Sequence, residues 1–299
     1  AELASYDVKG LAVEIKHASE VVEMDESPAH AIRNKKDSSI RVCFDAVKNG
    51  DASAVVSAGN SGALLAAGMF VLKRLKGVER PAIAVPLPTI KDPAVIIDAG
   101  ANVDCKPLHL AHFAVMGAAY SKDVLKKENP TVGLLSNAAE EGKGTELTKL
   151  ANELIKTLGL NYVGYIEGKD VFKGEVDVVV TDGFVGNVVL KVSEGIVEAV
   201  FKMLKREIEA SLPAKLGYVL SKGAFRNLKS HLDYAEYGGA PLLGVDGSSI
   251  ICHGGSTAKA IKNAIFTAGT LAEAKVGEHI VRELADNNEL EKLALRQLL

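Results

Sequence analysis

The chain has 299 residues, 47% of them hydrophobic, with a formal net charge of -3. That is enough for one large domain or two closely packed ones, and the near-neutral balance argues against nucleic acid as the principal partner. Cys43, Cys105 and Cys252 lie far apart, which speaks for a reducing compartment and against a disulfide framework or zinc cluster. No secretory leader pattern or membrane-length apolar run stands out.

In chain order, short β-branched runs alternate with longer helical patterns. The first predicted strand is Val13 to His17, followed by a helix over Ser39 to Asn49 and a strand over Ala54 to Ser57. A helix over Gly62 to Leu75 and strands over Ala82 to Pro86 and Val95 to Asp98 come next. Beyond these lie a helix over Leu108 to Leu125, a strand over Val132 to Leu135 and a helix over Glu146 to Thr157. Strands over Tyr162 to Ile166 and Val176 to Thr181 precede a helix over Val188 to Glu209. The strand runs are continuously apolar, as expected of strands covered on both faces. The reading is therefore a three-layer α/β/α fold with a mostly parallel sheet, taken as a single domain over 1–299.

In such folds ligands collect beyond the C-terminal strand ends. Gly59-Asn60-Ser61-Gly62 follows one strand and opens a helix. Exposed N–H groups there suit phosphate or a developing oxyanion, with Asn60 and Ser61 as side-chain donors. Neither a dinucleotide fingerprint nor a P-loop spacing is present. The 98–107 stretch runs from Asp98 through Asn102, Asp104 and Cys105 to Lys106 and Pro107, with Pro107 in the first turn of the next helix. Lys106 suits an anion. Asp98 and Asp104 could hold a metal, although helix capping explains Asp104 equally well, and Cys105 beside His109 allows a thiol nucleophile.

The third turn, 137–144, offers Glu140, Glu141 and Lys143, and the fourth offers Asp182, Gly183, Phe184, Gly186 and Asn187. The fifth, Cys252 to Ser256, places His253 ahead of a helix that begins near Thr257. Val55 to Gly62 and Val179 to Gly186 also share a pattern of two valines, a hydroxyl residue and glycines three apart. Strand–helix units generate such likeness readily, so duplication does not follow. Together the five turns point to a site for a small anion, with phosphate the leading candidate.

The 201–234 segment reads as a projecting helical hairpin. Phe201, Leu204, Ile208 and Leu212 form one stripe, ended by Pro213, and Leu216, Val219 and Leu220 begin another. Basic residues, among them Lys205, Arg206 and Lys222, outnumber Glu207 and Glu209. The face suits the core or a second copy, and equally an anionic lipid surface or an acidic carrier protein.

A set of strings in unbroken order resembles the phosphate acyltransferase family of bacterial phospholipid synthesis, the PlsX proteins. They are His17-Ala18-Ser19-Glu20, Met24 through Pro28, Lys35 through Ser39, Ser57 through Ala63, the 98–107 stretch, Glu140 through Gly144, Asp182 through Asn187, Tyr237 through Gly244 and His253-Gly254. The resemblance implies transfer of a long-chain acyl group from acyl carrier protein to inorganic phosphate. It also implies an acyl phosphate product passed to a membrane glycerol-3-phosphate acyltransferase. A homodimer, a fold related to isocitrate dehydrogenase and phosphotransacetylase, and peripheral contact between a cytoplasmic protein and its membrane are implied as well. No cofactor or metal is expected. The family's Asp-Ala-Met-Gly-Gly-Asp turn has no match in Ala1 through Gly10, so residues of that segment are expected to be missing.

The expected chemistry is direct attack of bound phosphate on the thioester carbonyl. Lys106, Lys143 and the 59–62 turn would surround the phosphate. Asn187 and the glycines of 183–186, Gly183 included, would complete the cradle or hold the oxyanion. His253 would protonate the departing thiolate. Phe184 and the Phe201 to Leu220 region would line the acyl path. The alternatives are a phosphotransacetylase using coenzyme A thioesters and a noncatalytic scaffold between carrier protein and membrane. A related hydroxyacid dehydrogenase would need nicotinamide and metal patterns that the sequence lacks.

Overall fold

A computed structural model describes residues 5–140, 142–233, 236–287 and 290. In it the strands are β1 (Ala54–Ser57), β2 (Ala82–Leu87), β3 (Ala94–Ile97), β4 (Val132–Leu135), β5 (Tyr162–Ile166), β6 (Val178–Val180), β7 (Ala240–Leu243) and β8 (Ser248–Ile251). The helices are α1 (Pro28–Asn34), α2 (Ser39–Asn49), α3 (Ser61–Ala67), α4 (Pro107–Asp123), α5 (Glu146–Lys156), α6 (Gly183–Glu209), α7 (Leu212–Leu232), α8 (Ala258–Glu273) and α9 (Val276–Asp286). α3 runs on into a π-helical turn over Gly68–Leu72, which accounts for the longer helix expected there.

The strands form one sheet in the order β1-β8-β7-β2-β3-β6-β4-β5. β3, β6, β4 and β5 are mutually parallel, and β1 is parallel to β8. Between these blocks β8–β7, β7–β2 and β2–β3 pair antiparallel. Tracing direction across the sheet, β1, β8 and β2 run one way and β7, β3, β6, β4 and β5 the other. Turns after β3, β6 and β4 therefore leave at one edge, and turns after β1 and β8 at the opposite edge. The five turns that the sequence offered divide three and two.

One face of the sheet is covered by α4, α5, α8 and α9 around Phe113, Met116, Leu154, Leu271 and Ile280. On the other face α1 to α3 pack over the β1 half and the start of α6 over β3 and β6. α4 is buried at 14 of its 17 residues, the behaviour of a helix that is apolar all round. At Gly117 an added Cβ would lie 2.5 Å from Val178 Cγ1, so the missing side chain lets α4 lie directly on the sheet.

Two expectations need correction. Val13 to His17 is not a strand: Val13 and Ile15 are exposed, and no described strand ladders with the segment. Glu14 and Lys16 interrupt the apolar run, and a strand forms only where a partner supplies the backbone hydrogen bonds. The hairpin, moreover, is longer than 201–234. α6 runs unbroken from Gly183 for 27 residues, about 40 Å at the helical rise. Pro213 lies in the first turn of α7, whose cap Ser211 accepts the Ala214 N–H, so Pro213 starts the second helix and Leu212 belongs to it. His231 Nε2 meets the Thr89 carbonyl at 2.9 Å and ties the hairpin's return to the β2–β3 connection. Tyr234, the last residue of the expected subregion, lies outside the described residues.

Candidate active site

Beyond β3 the chain is organised by Asp98, which is 0% exposed. Its Oδ1 accepts the N–H groups of Ile83, Gly100 and Ala101 at 3.0, 3.2 and 3.0 Å. Its Oδ2 accepts the Asn102 N–H at 2.6 Å and Asn102 Nδ2 at 2.9 Å. Burial raises the Asp98 pKa above the ordinary carboxylate value, against the lowering pull of those donors. With both oxygens taken, Asp98 shapes the loop and offers nothing to a metal. Among the described residues no group of three or more His, Cys, Asp or Glu gathers in metal-binding fashion.

The β6–α6 turn is seated on this loop. The Gly183 N–H donates to the Asn102 carbonyl at 2.8 Å, and a Cβ at 183 would come within 2.7 Å of that oxygen. A Cβ at 186 would fall 1.9 Å from the Asp98 carbonyl oxygen. Both glycines thus serve backbone-to-backbone approach, and the Gly183 N–H is no free phosphate donor. Asp182 caps α6 by accepting the Val185 N–H at 2.9 Å. Gly100 has φ +137, and a Cβ there would lie 3.6 Å from that of Asn187. Asn187 is therefore brought against the 98–102 loop with its amide exposed, and Phe184 is exposed beside it.

The next helix begins at the same place. Lys106 is its cap position, not Asp104, and Pro107 opens the first turn as expected. The Lys106 N–H donates to His109 Nδ1 at 3.0 Å, and His109 Nε2 meets Glu79 Oε2 at 2.9 Å. A ring that accepts at Nδ1 carries its proton on Nε2, and burial lowers the His109 pKa. The Lys106 side chain is exposed and makes no ion pair among the described residues. Cys105 is in surroundings that disfavour a thiolate nucleophile. Burial first, then Asp98 and Asp182, push its thiol pKa up to about 12.

Lys143 is exposed in the β4–α5 turn, at the same edge because β4 adjoins β6. Gly144 adopts φ +93 with its Cβ position 2.4 Å from Thr148 Oγ1. Among the described residues no hydrogen bond joins this turn to 98–106 or 182–187, and Glu141 lies outside them.

At the other edge, Asn60 is buried and fully engaged. Its Oδ1 accepts the Ala63 N–H, and its Nδ2 donates to the carbonyls of Glu23 and Met24 at 3.1 and 3.0 Å. It is a cap and a tether, and its amide has nothing left for phosphate. A Cβ at Gly59 would sit 3.3 Å from Ile40 Cδ1, and one at Gly62 would sit 2.7 Å from Pro28 Cγ. Ser61 remains exposed. β8 brings His253 alongside, since β1 and β8 are parallel neighbours. His253 is exposed, and its Nδ1 accepts the Gly255 N–H at 3.1 Å, which leaves the ring proton on Nε2. The sequence reading missed Glu79 and Arg80, whose only mark was a charged pair directly ahead of Pro81 and β2.

The chain matches the family model described as "Fatty acid synthesis protein" over residues 2–279. The "Phosphate acyltransferase" of Geotalea uraniireducens is 59% identical over 297 residues, 99% of this chain and 86% of that protein. That of Geobacter sulfurreducens is 56% identical, covering 99% of this chain and 84% of that protein. Among solved structures, a phosphotransacetylase from Streptococcus pyogenes superposes with TM-score 0.53 at 18% identity, over 84% of this chain and 74% of that one. The EutD phosphotransacetylase of Staphylococcus aureus gives TM-score 0.51 at 17% identity, over 76% of this chain and 65% of that one. These structures share the fold.

Proposed function

The chain belongs to the phosphate acyltransferase family, and on that footing we propose that it transfers a long-chain fatty acyl group from acyl carrier protein to inorganic phosphate. A phosphate oxygen attacks the thioester carbonyl and the C–O bond forms. Collapse of the tetrahedral intermediate breaks the C–S bond, releasing acyl phosphate and a thiolate that takes a proton. Phosphate is already an anionic nucleophile near neutral pH, so the protein's work is to hold it and offset its charge. The chemistry calls for no cofactor.

The observation that carries this reading is the exposed Lys106 at the head of α4, without an ion pair among the described residues, on a loop fixed by Asp98 and flanked by Asn187. Lys106 binds phosphate and Asn187 donates to the phosphate or the oxyanion. Lys143 reaches in from the neighbouring turn. Ser61 and His253 leave the opposite sheet edge. His253, with its ring proton on Nε2, is the group assigned to protonate the leaving thiolate.

The acyl chain runs toward Phe184 and along α6. Phe184, Val188, Val192, Ile196 and Val200 recur every fourth residue and are all exposed, a face suited to a second copy of the chain. α7 has no buried residue and no acidic one, yet carries Lys215, Lys222, Arg226 and Lys229. With Leu216 68% and Val219 66% exposed, its N-terminal half suits an anionic membrane surface, while Lys205 and Arg206 of α6 engage Glu209 and Glu207. No helix among the described residues is long and apolar enough to cross a membrane, so this contact is peripheral. It places acyl phosphate beside the membrane glycerol-3-phosphate acyltransferase that consumes it. Replacing Leu216 and Val219 with Glu lowers recovery on anionic vesicles while solution turnover persists; undiminished recovery contradicts the contact.

The full-length protein, given palmitoyl-carrier protein and labelled phosphate, yields labelled acyl phosphate. Product only from acetyl-coenzyme A would favour a phosphotransacetylase, and carrier binding without product from either donor would favour a scaffold.

A further inference from the structure

The segment ahead of β2 is stapled to α4 at Glu79 and to the Asp98 loop at Pro81. Glu79 Oε2 meets His109 Nε2 at 2.9 Å, and the Glu79 N–H donates to His112 Nδ1 across a long 3.5 Å. Pro81 offers its carbonyl to Asn102 Nδ2 at 2.7 Å. The residue between them is Arg80. The imidazole that accepts the Lys106 N–H at Nδ1 meets Glu79 at Nε2, so a single ring separates the backbone of Lys106 from the Glu79 carboxylate.

Arg80 is exposed and has no ion pair among the described residues. Its positive charge acts on both Cys105 and His109, lowering their pKa values, and Cys105 also feels Asp98 and Asp182. Its charge is therefore felt on both sides of Lys106, at Cys105 and at His109. The adjacent Glu79 carboxylate meets His109 Nε2 and forms no ion pair with Arg80 among the described residues. With residues 79 and 81 tied to the elements that flank Lys106, a guanidinium and an ammonium that make no ion pair among the described residues suit a doubly charged tetrahedral oxyanion, arginine through its planar fork and lysine as a point charge.

We propose that Arg80 is a second phosphate-binding cation of the transferase, set beside Lys106 by the clasp of Glu79, His109 and His112. This rests on the assignment of phosphate to the Lys106 loop. The guanidinium binds the oxygens that do not attack, and Lys106 sits nearer the attacking one. Glu79, His109 and His112 act through Arg80 and Lys106 and touch no substrate.

The test is steady-state turnover of the full-length protein with palmitoyl-carrier protein, with phosphate and carrier varied separately, for Arg80→Gln, Arg80→Lys and Lys106→Ala. Arg80→Gln is expected to raise the phosphate KM by about tenfold or more, leave the carrier KM unchanged and keep the thermal unfolding midpoint. Arg80→Lys should recover part of the loss. A wild-type phosphate KM in Arg80→Gln, with Lys106→Ala impaired, overturns the assignment of Arg80 and leaves the phosphate site standing. A rise in carrier KM alone also overturns it. Wild-type phosphate kinetics in both Arg80→Gln and Lys106→Ala removes the phosphate site along with the inference.

Discussion

In the β1–α3 turn the helix cap is Asn60, one residue after the first glycine; in the β6–α6 turn it is Asp182, one residue before it. Strings that align residue for residue thus enter their helices two positions apart. At β6–α6 the glycines approach the backbone oxygens of Asn102 and Asp98, whereas at β1–α3 they approach the side chains of Pro28 and Ile40. The lesson is that glycine spacing marks close approach, while the cap residue and whatever faces the glycine decide what the turn can do. At β6–α6 the approach locks together the loops that carry Lys106 and Asn187. At β1–α3 it fastens down the segment before α1.

The sharpest way to break this contrast is a methyl group at each turn. Gly186→Ala meets a carbonyl that cannot rotate away and should cost about 3 kcal/mol or more, with activity lost alongside. Gly62→Ala meets a proline ring that can yield and should cost about 1 kcal/mol. Equal costs in denaturant titrations would erase the distinction.

Acid supplies the next test. His112 is 2% exposed on the β3–β6 side, and burial lowers its pKa from 6.5 to about 4; His253, at the other edge, is exposed. The unfolded chain takes up the His112 proton at a higher pH than the folded one, so stability falls as pH drops from about 6.5 to about 4. The total is at most about 3 kcal/mol, and His112→Gln should flatten that part of the stability–pH curve. A wild-type slope in the variant would contradict the assignment.

Lys106→Ala should cut turnover at limiting phosphate about a hundredfold, roughly 2.7 kcal/mol, without lowering the unfolding midpoint. Asn60→Ala should do the reverse. It should lose about 1–2 kcal/mol of stability through its cap and tether while leaving the phosphate KM near wild type. An Asn60 variant that stayed stable but required more phosphate would return Asn60 to the ligand.

Much of the layer structure was legible because β1 to β6 are short, continuously apolar runs and α2, α4 and α5 have clear ends. β7 was missed since Pro241 and the glycines at 238, 239 and 244 read as a turn; there the antiparallel β7–β8 pair tolerates what a central parallel strand would not. Strand direction leaves no local trace, so the separation of Ser61 and His253 from Lys106 and Asn187 emerged only with the pairing. Asn60 looked like a ligand because the carbonyls that occupy its amide lie more than thirty residues earlier. Arg80 drew no attention because the histidines that hold its neighbour Glu79 lie about thirty residues ahead. The Lys106 loop was visible from the start, as polar residues and a lysine directly after an apolar strand.

The central claim is that inorganic phosphate binds where the β3 and β6 turns meet. Its most direct test is the structure of the full-length protein soaked with inorganic phosphate at saturating concentration. Phosphate within hydrogen-bonding distance of Lys106 Nζ, with Asn187 as a neighbour, is the predicted result. Phosphate seated at Ser61 and the 253–255 turn, with Lys106 left in solvent, would contradict it.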